Sequence, residues 1–235
     1  MVTVAIHQPG YLPWFGFFKK MMNSDIFVFF DDVQFVKKEF QNRNRIRINS
    51  GEVWLTVPVM VHHESQLNKV KIDQTKNWVK KHKKSLMYNY SAAEYFNEFT
   101  DFIEKIYDDD FELLIDLNID IISEIMKKLE LKTKTIRSSE LGITFSGSDK
   151  VLNICKSLNA NRYISGTVWA KTYLKVEDFK KNEIVVEFQE YEHPVYRQLH
   201  GKFIPNLSLI DMLFNEGTKK SKEILLKTVI KSQTK

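Results

Sequence analysis

The sequence predicts an α/β fold on a mixed or mainly parallel sheet, covered or capped by helices. Three observations carry this. Thr3–Ile6 and Ile26–Phe30 are short runs of apolar and β-branched residues, the pattern of strands buried on both faces, as in parallel sheets. A stretch of helical character, WFGFFKKMM (14–22), lies between them, giving a strand–helix–strand unit. Strand and helix patterns alternate again after residue 131.

In chain order, the first strand runs into His7-Gln8-Pro9-Gly10, where Pro and Gly stop it. Pro13 opens the first helix, since its fixed φ suits a first turn. The second strand ends abruptly at Asp31-Asp32. QNRNRIRI (41–48) alternates, placing Arg43, Arg45 and Arg47 on one strand face and Asn44, Ile46 and Ile48 on the other. Ser50-Gly51 reads as a turn, and VWLTVPV (53–59) as a further strand with Pro58 marking its end or an edge. Trp78 to about Leu131 reads as helical. Phe111, Leu114, Ile115, Ile121, Ile122, Ile125 and Leu129 form the buried stripe of a long helix. A strand at Thr135-Ile136 follows, then a helix opened by Ser148 or Asp149 and striped by Val151, Ile154, Cys155 and Leu158. Strands at Arg162–Gly166 and Ile184–Phe188 complete the pattern. With no repeat and no linker, the expectation is a single domain over 1–235 with a mainly helical insertion at about 77–131.

Composition excludes several classes. Hydrophobic residues make up 43% and charged residues 28%, which argues against disorder. Eight glycines and five prolines are too few for a turn-rich all-β or collagen-like chain. The single cysteine, Cys155, forbids an intramolecular disulfide framework and fits a reducing compartment. No apolar run approaches the ~20 residues of a membrane span, and MVTVAIHQPG lacks the pattern of a secretory leader. A cytoplasmic protein is expected. The net charge of +5 suits an anionic partner such as a nucleotide or phosphate, although surface lysines alone also produce it.

Ligands of open α/β sheets bind outside the carboxyl ends of the strands. His7, Asp31-Asp32 and Ser165-Gly166 each follow an apolar strand and therefore stand at such positions. An imidazole at His7 is suited to general base work near neutral pH; a plain backbone hydrogen bond is the alternative. Of the two aspartates one reaches the cleft, to orient His7, hold a sugar hydroxyl or bind a metal, unless both only shape the turn. Arg43 and Arg45, with Lys37 just before them, make either a phosphate grip or a solvated strand face. Cys155 lies on an apolar helix face and reads as core. No zinc-protease, cysteine-cluster or P-loop motif occurs, so no metal site is expected and the cofactor is left open. Ser208 and Asp211 have the spacing of a capping box. His193 lies in a polar loop without a helix to explain it.

HQPGYLPW (7–14), DDVQF (31–35), Lys37, QNRNRI (41–46), WLTVPV (54–59), Trp78 and His82, YISG (163–166), HPVYRQ (193–198) and PNLSLIDMLFNEG (205–217) together resemble the WbqC-like protein family. The likeness runs over nearly the whole chain. It implies a role among bacterial surface-polysaccharide (O-antigen) genes and a glycine (aminoacyl) transferase activity. A fainter likeness, in IFVFFDDVQF (26–35), is to the Rossmann-like nucleotidylyl-transferase and pantothenate-synthetase fold. The HxGH of those enzymes is missing: Trp14-Phe15-Gly16-Phe17 stands in its place, which speaks against their chemistry.

The resulting expectation is transfer of glycine or another small acyl group to the amine of a nucleotide-linked amino sugar. His7 is expected to be the base and Asp32 its orienting partner or a sugar ligand. Gln8, Gln34, Asn42, Ser165, Gly166, His193 and Gln198 are expected as substrate contacts. Lys37, Arg43 and Arg45 would hold the pyrophosphate, with Tyr11 and Trp14 lining the wall. The activated acyl donor is open among aminoacyl-tRNA, thioester and adenylate; nucleic acid enters only as such a tRNA. A non-catalytic sugar-nucleotide-binding component of the same pathway is the alternative.

Overall fold

A computed structural model describes residues 1–61, 65–166 and 170–234, the last four by backbone alone. The chain begins with β1 (Thr3–His7), α1 (Phe15–Met22) and β2 (Ile26–Phe29). A hairpin of β3 (Arg43–Ile48) and β4 (Gly51–Thr56) follows, then a second small pair, β5 (Val59–Met60) and β6 (Lys71–Ile72). Helices α2 (Trp78–Tyr90), α3 (Thr100–Asp108) and α4 (Leu114–Lys128) precede β7 (Lys134–Arg137). Next come α5 (Gly147–Ser157), β8 (Arg162–Ser165), α6 (Ala170–Tyr173), α7 (Val176–Lys181), β9 (Val185–Tyr191), α8 (Leu209–Lys227) and β10 (Ile230–Thr234).

The central sheet has the order β10-β9-β8-β1-β2-β7. β1 pairs in parallel with both β2 and β8, β2 with β7, and β8 with β9; β10 is an antiparallel edge. Numbered among themselves, the five parallel strands run third-second-first-fourth-fifth, the doubly wound order. The two N-terminal strands expected to share a sheet are direct neighbours, Val4 opposite Ile26 and His7 opposite Phe29.

Side chains on each strand alternate between two helical layers. Ala5, Phe27, Phe29 and Ile164 pack with Phe17 and Phe18 of α1, Ile121 of α4 and Leu213 of α8. Val4, Ile6, Val28, Tyr163 and Phe188 pack with Ile154 and Cys155 of α5 and Phe179 of α7. The parallel strands are apolar along both faces because both are covered.

The arginine-bearing strand belongs to the separate β3–β4 hairpin rather than to the central sheet. Its register faces Arg45 to Trp54 and Arg47 to Glu52. α8 opens where expected: Ser208 accepts a hydrogen bond from the Ile210 amide. It breaks at Gly217, whose φ of 70° and the closeness of the Tyr95 ring, 2.7 Å from where a Cβ would stand, both call for glycine.

Candidate functional site at the carboxyl edge of β1

Chain order reverses between β1 and β8, which makes the loop after β1 the switch-point loop, where such sheets hold their ligands. That loop, Gln8 to Trp14, is fixed by side chains scattered through the sequence. The Nδ2 of Asn118, a wholly buried residue of α4, donates to the carbonyls of Pro9 (3.1 Å) and Gln41 (2.8 Å). Asn44 donates to the Leu12 carbonyl at 2.7 Å, and Gln41 to the Gln8 side chain at 2.8 Å. The Tyr11 amide donates to the Phe40 carbonyl at 3.2 Å, an approach that only glycine at position 10 permits: a Cβ there would lie 2.7 Å from that same oxygen. Tyr11 itself is fully buried. Its hydroxyl meets His82 Nδ1 at 2.9 Å and the Tyr107 hydroxyl at 2.6 Å, so it packs in the core and not on an open wall.

His7 closes β1. Its Nδ1 lies 2.8 Å from the Gln8 carbonyl, which can only accept; Nδ1 therefore carries the hydrogen and Nε2 presents a lone pair. No described residue bonds that Nε2. Trp14 and Phe17 meet the ring edge-on at 5.4 and 5.2 Å. Burial first, and the Lys20 charge second, push its pKa down to about 3, so His7 is a neutral imidazole throughout the physiological range. Lys20, in α1, is 3% exposed and donates from Nζ to the Ile6 carbonyl at 2.7 Å. Burial lowers its pKa to about 7. The sequence reading gave Lys20 no role beyond its place in the helical stretch 14–22. The signal that would have found it is its place inside an otherwise apolar helix, FGFFKKMM.

Asp31 and Asp32 follow the carboxyl end of β2, on the same edge of the sheet as His7 but with other partners. Asp31, fully buried, accepts from the Ser139 amide (3.0 Å) and hydroxyl (2.7 Å). Asp32 pairs with the buried Lys150 of α5 at 2.6 Å and accepts from the Ser138 hydroxyl at 2.5 Å. His7 is not among its partners, so the orienting role falls to the Gln8 carbonyl instead. The sheet explains the separation. His7 follows Ala5 in alternation and faces α1, while Ser165 follows Tyr163 and faces the α5 side, from which Lys150 reaches Asp32. Ser165 is 1% exposed and its hydroxyl has no hydrogen-bond partner among the described residues. Gly166 follows with open space around its α-carbon.

The basic strand is largely engaged with the protein. Arg45 forms a two-pronged pair with Glu52 (2.8 and 3.1 Å), and Arg43 lies over the Trp54 ring at 4.2 Å while donating to the Lys38 carbonyl. The Nε atoms of both are buried without an acceptor. Lys37 and Gln34 are exposed beside them, whereas Asn42 is buried and donates to the Val57 carbonyl at 2.8 Å. Trp14 connects the two regions through Phe40, with ring centres 5.4 Å from Trp14 to Phe40 and 5.6 Å from Phe40 to Trp54.

His193 and Gln198 act as clasps in the loop before α8. His193 Nδ1 donates to the Pro194 carbonyl at 2.9 Å, and its Nε2 accepts from the Asn206 amide at 3.2 Å, which uses both nitrogens. Gln198 donates to Asp211 at 2.9 Å. Asp211 also accepts from Tyr90 and Tyr196, each at 2.7 Å, so its carboxylate does not bond back to the helix cap. Burial raises its pKa, against these donors. Two surface cavities lie elsewhere. One, of about 390 Å³, is at the amino end of β2 beside Asp25 and Lys222; the other, of about 660 Å³, lies between the hairpin tip at Asn49-Ser50 and Tyr88. No cluster of three or more metal-binding side chains occurs among the described residues.

Fold and switch-point loop together define a doubly wound, Rossmann-like α/β protein. The chain belongs to the WbqC-like protein family, whose model matches residues 8–223. It is similar to "Uncharacterized protein Rv1507c" of Mycobacterium tuberculosis (strain ATCC 25618 / H37Rv), 34% identical over 221 residues, covering 92% of this chain and 95% of that protein. No solved structure matches. Among the described residues no helix is long and apolar enough to cross a membrane.

Proposed function

We propose that the protein transfers glycine or another small acyl group to the amine of a nucleotide-linked amino sugar, in the cytoplasmic phase of bacterial surface-polysaccharide (O-antigen) synthesis. The observation that carries this reading is the neutral His7 at the switch point, its Nε2 lone pair unused by any described residue. Amide formation needs an amine presented with its lone pair toward an activated carbonyl. Nε2 accepts one N–H of that amine and so aims it. Trp14 offers an aromatic face beside it, and the exposed Lys37 supplies a positive charge for a diphosphate. The donor is an activated acyl group, as thioester, adenylate or aminoacyl-tRNA.

The test is mass spectrometry of UDP-glucosamine incubated with the protein and each class of glycyl donor. Protein-dependent addition of a glycyl group, lost in His7→Ala, is the expected result; full activity in His7→Ala removes His7 from the site.

A second reading, a sugar-nucleotide-binding component without chemistry, is favoured by one observation: the carboxylate expected to assist His7 is committed to Lys150 and Ser138. Burial also pushes the Cys155 thiol up to about 12, which leaves it inert as a nucleophile. Calorimetric binding of UDP-glucosamine with no mass gain from any donor would select this reading.

A further inference from the structure

α1 returns from the switch-point loop toward β2, and its Lys20 side chain runs back under that loop to the end of β1. Nζ reaches the carbonyl of Ile6, the residue before His7, at 2.7 Å. Among the described residues no carboxylate lies within 4 Å of it, and the side chain is 3% exposed. A buried ammonium with no counter-charge is an expensive arrangement, whereas a neutral amine keeps the Ile6 hydrogen bond and frees a lone pair. His7 on β1 is neutral, Lys19 on α1 turns to the Leu225 carbonyl of α8 at 2.8 Å, and Tyr191 of β9, near Gly16, is a phenol that burial pushes up to about 12. The depressed pKa of Lys20 agrees with that setting. His7, by contrast, is too weak a base to hold a proton near neutrality.

We propose that Lys20 is the proton acceptor of the switch-point site, and that His7 only orients the attacking amine. This assignment rests on the acyl-transfer reading. The sugar amine adds to the acyl carbon and forms the new C–N bond. The proton on that nitrogen passes to the Lys20 amine, giving an ammonium. As the bond from carbon to the donor's leaving group breaks, Lys20 returns the proton to that group and is restored to the neutral amine.

The experiment has two arms. In the first, Lys20 is followed by ¹³C NMR of lysine-labelled protein, its signal assigned by loss in Lys20→Arg. A midpoint near neutrality is expected, and a midpoint above about 9.5, close to that of a free lysine, overturns the proposal. In the second, glycyl transfer to UDP-glucosamine is measured against pH for wild type, Lys20→Arg and Lys20→Met, each confirmed folded by circular dichroism. The wild-type rate should rise through about pH 7 and level off, and both variants should fall roughly 10²–10⁴-fold, because arginine keeps the charge but cannot release it. Lys20→Arg with the wild-type rate and profile overturns the proposal while leaving acyl transfer standing. A wild-type protein silent toward every donor class overturns the acyl-transfer reading and this assignment with it.

Discussion

Lys150 Nζ and Asp32 Oδ2 stand 2.6 Å apart, the lysine side chain 8% and the aspartate 17% exposed. This pair, with Ser138 donating to the other carboxylate oxygen at 2.5 Å, ties the end of β2 to α5 and to the turn after β7. It is an internal fastening, and removing one partner strands a charge.

Lys150→Met should therefore destabilise the protein by about 2–3 kcal/mol, below the usual loss for a fully buried pair because Asp32 keeps some contact with water. The double variant Asp32→Asn/Lys150→Met should recover part of that loss. Urea unfolding of Lys150→Met, Asp32→Asn and the double variant measures it; a double-variant loss equal to the sum of the two single losses would show that the pair has no coupling.

Asn118 holds the switch-point loop from α4, and Asn118→Ala leaves the carbonyls of Pro9 and Gln41 without their donor. A loss of about 2–3 kcal/mol is expected from the cavity and the two unsatisfied acceptors. Hydrogen exchange should quicken at the Tyr11 amide, which the same loop bonds to Phe40. Unchanged exchange there would mean that the loop is held without Asn118.

Stability should depend on pH through Lys20 and His7. Lys20 has a folded pKa of about 7, below its unfolded value of ~10.4. Between those values the unfolded chain binds the extra proton, so stability rises with pH, by at most ~1.4 kcal/mol per unit. Below about 7 both states are protonated and the penalty is constant. His7, with a folded pKa of about 3, works the same way lower down: stability falls as the pH drops below ~6.5 and goes on falling toward 3. Cys155 acts in the opposite direction, since its raised thiol pKa costs stability above its unfolded value of ~8.5. The difference between wild type and Lys20→Met cancels it. Urea midpoints from pH 7.5 to 9.5 should rise more steeply in wild type than in Lys20→Met; parallel slopes would show Lys20 charged in the fold.

The parallel sheet was legible because Thr3–Ile6 and Ile26–Phe30 are apolar or β-branched at every position, which a strand covered on both faces needs. The helical stretch from Trp78 was legible as a whole, but an apolar stripe was read only for α4, and Phe111, read into that stripe, lies before the helix begins at Leu114. The short pair β5–β6 and the edge strand β10 were not, since two residues, or a strand of mixed polarity, leave no periodicity to read. At the site, sequence reasoning placed His7, Asp32 and Ser165 at strand ends but could not see which face each side chain takes. Strand ends share an edge of the sheet, yet alternation sends His7 toward α1 and Ser165 toward α5. Lys20 escaped notice because a lysine in a helix ordinarily reaches water, and only the tertiary approach of the Ile6 carbonyl draws it inward.

The central claim is that a nucleotide-linked amino sugar is held at the carboxyl edge of β1, against Nε2 of His7. The most direct measurement is ¹⁵N NMR of histidine-labelled protein titrated with UDP-glucosamine, the His7 signal assigned by its loss in His7→Gln. A saturable shift of the His7 Nε2 resonance, with the imidazole still neutral, is the predicted result. A His7 resonance that stays fixed at saturating ligand, or shifts that map to the cavity beside Tyr88 instead, would contradict it.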